Sequence, residues 1–167
     1  TIATDAAQRL KKFVVNGGGL IVFAGERVNA QNYNNQLHRA VPEDYDVKKH
    51  GVIVNLLPGE LGEPISFLDE SSVAEEGEED SWRIGDIESD HVLARLAEKI
   101  PEEARSFARI QRVVEVVPDA NATTILSLSD SRLPLLLEKK TGLGTVLLFT
   151  TTADRAWSNL AVHPLFP

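Results

Sequence analysis

Phe13-Val14-Val15-Asn16-Gly17-Gly18-Gly19-Leu20-Ile21-Val22-Phe23-Ala24-Gly25 is the stretch that decides the fold. Just upstream, Ala6, Leu10, Phe13 and Val14 recur at helical spacing, which predicts an amphipathic helix capped by Thr4 or Asp5. The glycines then end that helix, because a left-handed backbone costs glycine nothing. Leu20 to Ala24 is apolar at every position, the pattern of a strand covered on both faces of a parallel sheet. Helix, glycines, strand is the reverse of a phosphate-binding loop, in which a helix N-terminus must follow the glycines. The stretch therefore reads as a helix C-cap turning into a sheet.

Working outward, Asn29 to Arg39 has helical length and places Tyr33 and Leu37 on one side. Signals then weaken: Val52 to Val54 and Ile65 to Leu68 read as short strands, and Leu56-Leu57-Pro58-Gly59 as a turn. Trp82-Arg83-Ile84 returns to the body, and Asp90 caps a helix from His91 to Ile100 that points Val92, Leu93, Leu96 and Ile100 inward. Ile110 to Val117 and Thr123 to Ser129 are strand-like. Leu133 to Leu137 pairs with Thr145 to Phe149 across Lys140-Thr141-Gly142-Leu143-Gly144, an antiparallel hairpin closing the chain. Crossover helices early and a hairpin late predict a mixed α/β sheet.

At 167 residues, 43% hydrophobic, the chain has the apolar content for a single domain over 1–167. It has no cysteine, which excludes disulfides, thiolate metal sites and a cysteine nucleophile within these residues. No run approaches the roughly 20 apolar residues of a membrane span, and Thr1 to Leu10 lacks a signal-peptide pattern. The formal charge of -8 is local: Asp69 to Asp90 holds ten acids against Arg83, leaving 16 bases and 15 acids elsewhere. A neutral body gives no electrostatic reason to bind nucleic acid or an anionic membrane. Residues 69–90 read as an acidic loop insertion, with docking to a basic partner domain as a further use. His38, His50, His91 and His163 share no metal-ligand spacing, and the acids lack the ligand pattern of a calcium loop, so neither metal nor cofactor is expected.

Ligands of open α/β sheets sit beyond the carboxyl ends of strands. Glu26, Arg27, Asn29 and Tyr33 follow the first strand there, and Asp154, Arg155 and Trp157 follow the last, forming a candidate ligand or partner surface. The turn carries no serine or cysteine nucleophile. The rival enzyme reading is a hydrolase or amidotransferase relative that uses Glu26 with a histidine. Against both stands the plain alternative that Thr150 to Thr152 and Asp154 cap the turn and Trp157 covers a sheet edge.

The run Leu133-Pro-Leu-Leu-Leu-Glu-Lys-Lys-Thr-Gly-Leu-Gly-Thr-Val-Leu-Leu-Phe-Thr-Thr-Thr-Ala-Asp-Arg-Ala-Trp-Ser-Asn-Leu, followed by His163-Pro-Leu-Phe-Pro, resembles the close of a particular class I glutamine amidotransferase-like domain. That domain occurs in large bacterial membrane-anchored proteins with an aerotolerance-regulator N-terminal region and a von Willebrand factor A domain. Phe13 to Gly25, Tyr33-Asn34, Leu56-Leu57-Pro58 and Asp90-His91-Val92-Leu93 follow in the same order, with Val92 where the family often has proline. The resemblance implies a flavodoxin-like three-layer domain whose first strand and helix precede Thr1 and whose chain continues past Pro167 toward a membrane segment. It also implies no amidotransferase chemistry, because Gly25 and Glu26 stand where family enzymes place cysteine. The expected function is a non-catalytic module serving assembly or ligand sensing. Its expected partners are other domains of the same chain or other proteins.

Overall fold

The computed structural model describes residues 1–38, 54–67, 81–88, 90–93, 95, 99, 101, 107–129 and 131–162. The chain forms α1 (Thr4–Val15), β1 (Gly19–Phe23), α2 (Ala30–Leu37), β2 (Gly59–Ser66), β3 (Ile84–Ile87), β4 (Arg112–Pro118), β5 (Ala122–Leu128), β6 (Pro134–Thr141) and β7 (Gly144–Phe149). A short 3-10 turn follows at Leu160–Val162. Five strands make a mixed sheet in the order β1-β7-β6-β5-β3, and β2 and β4 make a separate two-stranded ribbon. β1 lies parallel to β7, with Gly19 opposite Thr145 and Phe23 opposite Phe149. Every other pairing is antiparallel. The α/β expectation and the closing hairpin are thus met, and β6 runs on to Thr141 so that Gly142 and Leu143 alone make the turn. Gly142 has φ +62°, as a tight hairpin turn asks of its first central residue.

Helix α1 ends as the glycines predict. Gly17 adopts φ +103°, its N–H donates to Val14 O at 2.9 Å, and the Gly18 N–H donates to Phe13 O at 3.0 Å. These two bonds close a Schellman motif and satisfy carbonyls the helix would otherwise leave open. The start of the helix differs from expectation. Ala3 is the N-cap and contributes no side-chain bond, while Asp5 pairs instead with Arg9 at 2.7 Å one turn later. Phe13 also departs from the predicted inward face, standing 55% exposed with its ring over Gly18.

Alternation along the strands splits the interior in two. On one face of the sheet Leu137, Val146 and Leu148 pack with Ala7 and Val14 of α1 and Leu37 of α2. On the other, Leu126, Leu128, Leu136 and Phe149 pack with Trp82 and Ile110. The ribbon bridges the two clusters: Val113 enters one core, and Val114 and Val116 enter the other.

Three further expectations are corrected. β1 is covered on both faces only in part: Leu20 and Val22 pack against one core and Phe23 against the other, while Ile21 stands 48% exposed on a strand whose described neighbour is β7 alone. Residues 69–90 are not a single loop, since Ile84–Ile87 forms β3 and Trp82 is buried and bonded to Ile110 in both directions. Val92 is 67% exposed rather than inward, whereas Leu93 does reach the core. Val52, Ile53, Leu96, Ile100, His50, His163 and the acids from Asp69 to Asp80 lie outside the described residues.

Candidate functional site

The parallel strands β1 and β7 finish side by side, which brings the two predicted groups of surface residues together. The Phe23 and Phe149 rings stack at 5.0 Å and 6°, and the Ala24 N–H donates to Phe149 O at 2.8 Å. Gly25 then passes beneath Thr152, so closely that a Cβ there would meet the threonine methyl at 2.6 Å. Thr150 and Thr151 turn inward, their hydroxyls donating to Pro134 O at 2.7 Å and Arg112 O at 3.0 Å.

Several of the proposed site residues hold the fold. Asn29 is the N-cap of α2, its Oδ1 accepting from the Asn32 N–H at 2.7 Å. Tyr33 is half-buried against the helix-side core. Trp157 is 2% exposed; its carbonyl accepts from the Gln111 and Arg112 N–H groups, and the Arg112 guanidinium stands 4.8 Å from its ring centroid. Asp154 closes a turn by accepting from the Ala156 N–H at 2.9 Å. That amide, then the Thr152 hydroxyl and the Arg27 charge, hold its carboxyl below the ordinary value. Glu26, Arg27 and Arg155 remain as exposed charges.

The enzyme reading requires a histidine beside Glu26, and neither described histidine is there. His91 Nε2 lies 3.0 Å from Glu138 Oε2, and its Nδ1 accepts from the Leu93 N–H at 3.2 Å, a network that assigns the ring proton to Nε2. His38 Nε2 lies 2.8 Å from Asp119 Oδ1. Among the described residues no group of three or more histidine and acidic side chains is arranged to hold a metal ion.

The most concentrated polar arrangement is one that sequence reading did not find. Lys139, 5% exposed on β6, donates to Asp119 Oδ2 at 2.6 Å and to Leu57 O at 3.2 Å. Asp119 also accepts from Asn55 Nδ2 at 3.3 Å, and its backbone N–H donates to Pro58 O at 2.9 Å. Burial pushes the Asp119 carboxyl upward, but the bonds from Lys139 and His38 outweigh it and hold the carboxyl below its ordinary value. Chemically the cluster is a clasp that ties the end of α2, the segment before β2, the β4–β5 turn and β6. Its sequence signal was strand alternation: Lys139 lies two residues beyond the inward Leu137, on the same face.

No family model matches the chain and no curated protein is found as a relative. Solved structures do resemble it. A cytoplasmic protein from Salmonella typhimurium matches at 17% identity over 99% of this chain and 57% of its own, with a TM-score of 0.62. A cytoplasmic protein from Salmonella typhimurium LT2 matches at 16% identity over 93% of this chain and 53% of its own, with a TM-score of 0.57. A β-galactosidase from Rahnella sp. R3 matches at 15% identity over 93% of this chain and 19% of its own, with a TM-score of 0.52. The likeness is one of fold, and the chain spans little more than half the length of the two Salmonella proteins.

Proposed function

We propose that this chain is a non-catalytic, amidotransferase-like α/β module of a larger, membrane-anchored bacterial protein, and that between assembly and ligand sensing it serves assembly. The observation that carries this reading is β1, a strand of glycine and four large apolar residues at a sheet edge with none of the five buried. Ile21 is the exposed apolar side chain of this strand, 48% accessible, while Leu20, Val22 and Phe23 pack against the two cores, and an apolar edge strand of this kind is a place where another element can pack. The strand-end residues add support. Asn29, Trp157 and Asp154 are engaged in capping, packing and turn closure, and His38 and His91 are each bonded to carboxylates other than Glu26. The neighbours in fold are chains of which this module would be about half or about a fifth. A flavodoxin-like three-layer arrangement belongs to the same proposal. Among the described residues no helix is long and apolar enough to cross a membrane.

The test is deletion of residues 1–167 from the parent protein, followed by its assembly state in analytical ultracentrifugation. Loss of the parent's normal assembly is expected. Unchanged assembly, together with a hydrolytic activity of the parent abolished by Glu26→Gln, would overturn the reading.

A further inference from the structure

Among the described residues Arg132 alone, apart from glycines, adopts a left-handed backbone, at φ +56°. That conformation strains a residue that carries a Cβ, and glycine or asparagine is its ordinary occupant in a turn. Three bonds of the β5–β6 turn hold Arg132 there. The Leu128 N–H donates to Leu133 O at 2.8 Å, the Ser131 N–H to Ser129 O at 2.6 Å, and the Leu133 N–H to the Ser131 hydroxyl at 3.3 Å. Backbone strain of this kind gathers at binding and active sites. Arg132 lines a cavity of about 310 Å³ with Gly85, Asp86, Leu128 and Ser129, at the β3 edge of the sheet, farthest from β1. We propose that this cavity binds a small zwitterion, its carboxylate held by Arg132 and Ser129 and its ammonium group by Asp86. The site is separate from the assembly reading, and neither depends on the other.

Asp86 and Arg132 bring opposite charges to one cavity, yet no ion pair joins them, and among the described residues neither side chain has a polar or charged partner. β3 slips register against β5 between Ile84 and Ile87, and an irregularity of this kind re-aims the side chain it carries, here Asp86. Gly85 makes the slip possible. Its backbone runs so close to β5 that a Cβ would lie 2.8 Å from Ser129 N and 2.9 Å from Leu128 C. Main chain thus packs on main chain beside the cavity, which fixes how far the Asp86 strand stands from the Arg132 turn. Ser129 supplies the third contact. Its Oγ accepts from the Arg83 N–H at 3.1 Å, which leaves the hydroxyl proton to donate. A guanidinium and a hydroxyl that donate match a carboxylate, and a carboxylate that only accepts matches an ammonium group. A simple anion would face the Asp86 charge and a simple cation the Arg132 charge, whereas a ligand bearing both signs meets each with its opposite. The volume lies at the lower end of the roughly 300–1,000 Å³ of ligand pockets, which suits a short skeleton.

The test is isothermal titration calorimetry of the chain of residues 1–167 with glycine, β-alanine and γ-aminobutyrate, each set against its N-acetyl and its amide derivative. The series varies the separation of the two charges, and each derivative removes one of them. The expected result is saturable binding of at least one of the three, weakened roughly tenfold or more in both of its derivatives, because each has lost a charge-assisted contact. Asp86→Asn should abolish the preference over the N-acetyl derivative, and Arg132→Gln the preference over the amide. Arg132→Gly separates the site from the fold: it should lose binding and raise the melting temperature by roughly 2 °C, since glycine is unstrained at φ +56°. Arg132→Gln leaves the backbone demand as it is and should lose binding to the same extent. Failure of all three zwitterions to bind, equal binding of a zwitterion and either derivative, or binding that survives both substitutions of Arg132 would overturn the inference.

Discussion

β3 and β1 close opposite edges of one sheet and meet their surroundings differently. β3 is four residues long, slips register against β5 between Ile84 and Ile87, and turns Asp86 outward. Just before it, Trp82 is bonded to Ile110, which bridges on to Ser158. A short, irregular, charged edge with a tied flank is a finished edge. β1 pairs evenly with β7 along its length and carries neither charge nor bulge. The difference teaches that edge position alone does not dictate a strand's composition: β3 turns Asp86 to solvent where β1 turns Ile21.

The largest effects should come from the interior between the edges. Lys139→Ala leaves the Asp119 carboxylate and the Leu57 carbonyl without their cation, and should destabilise the chain by about 3 kcal/mol in urea unfolding. Lys140→Ala, on an exposed neighbour, should cost less than about 0.5 kcal/mol. Next, Leu128→Ala, 1% exposed beside the finished edge, should cost about 3 kcal/mol, against roughly 1 kcal/mol for Ile21→Ala on the open edge of the isolated chain. Equal losses at the two positions would break the comparison.

Acid titration gives an effect of intermediate size. The folded Asp119 carboxyl is held below its ordinary 3.8, so the clasp contributes stability that is fully present above that value and is lost as pH falls through the lower, folded one. Asp119→Asn should flatten this acid limb of the stability curve and leave its slope near neutral pH unchanged. The smallest effect belongs to the α2 cap: Asn29→Ala should cost about 1 kcal/mol through loss of one bond to the Asn32 N–H, and Asn29→Ser should restore most of it.

Much of the fold was legible because its signals are local. Asn16 to Gly18 announced the helix end, Gly142 the hairpin, and Asn29 the start of α2, each through backbone chemistry complete within a few residues. β2 was read only at its tail. Gly59, Gly62 and Pro64 break the strand pattern, and the partner that makes it a strand, β4, is distant along the chain. The clasp was missed for the same reason: His38, Asn55, Asp119 and Lys139 come from four separate segments, and only packing brings them together. At the strand ends, residue types suited to a site also suit caps and turns, and the sequence does not separate the two. Their hydrogen bonds assign Asn29, Asp154 and Trp157 to the scaffold.

The central proposal, that β1 packs against another element when the parent assembles, is tested most directly by amide hydrogen exchange over Leu20 to Phe23, measured in the isolated chain and in the parent protein. With Val146 to Phe149 as an internal reference, β1 should exchange at least about tenfold faster than β7 in the isolated chain and match it in the parent. Exchange of β1 that is equally slow in both, or equally fast in both, would contradict the account.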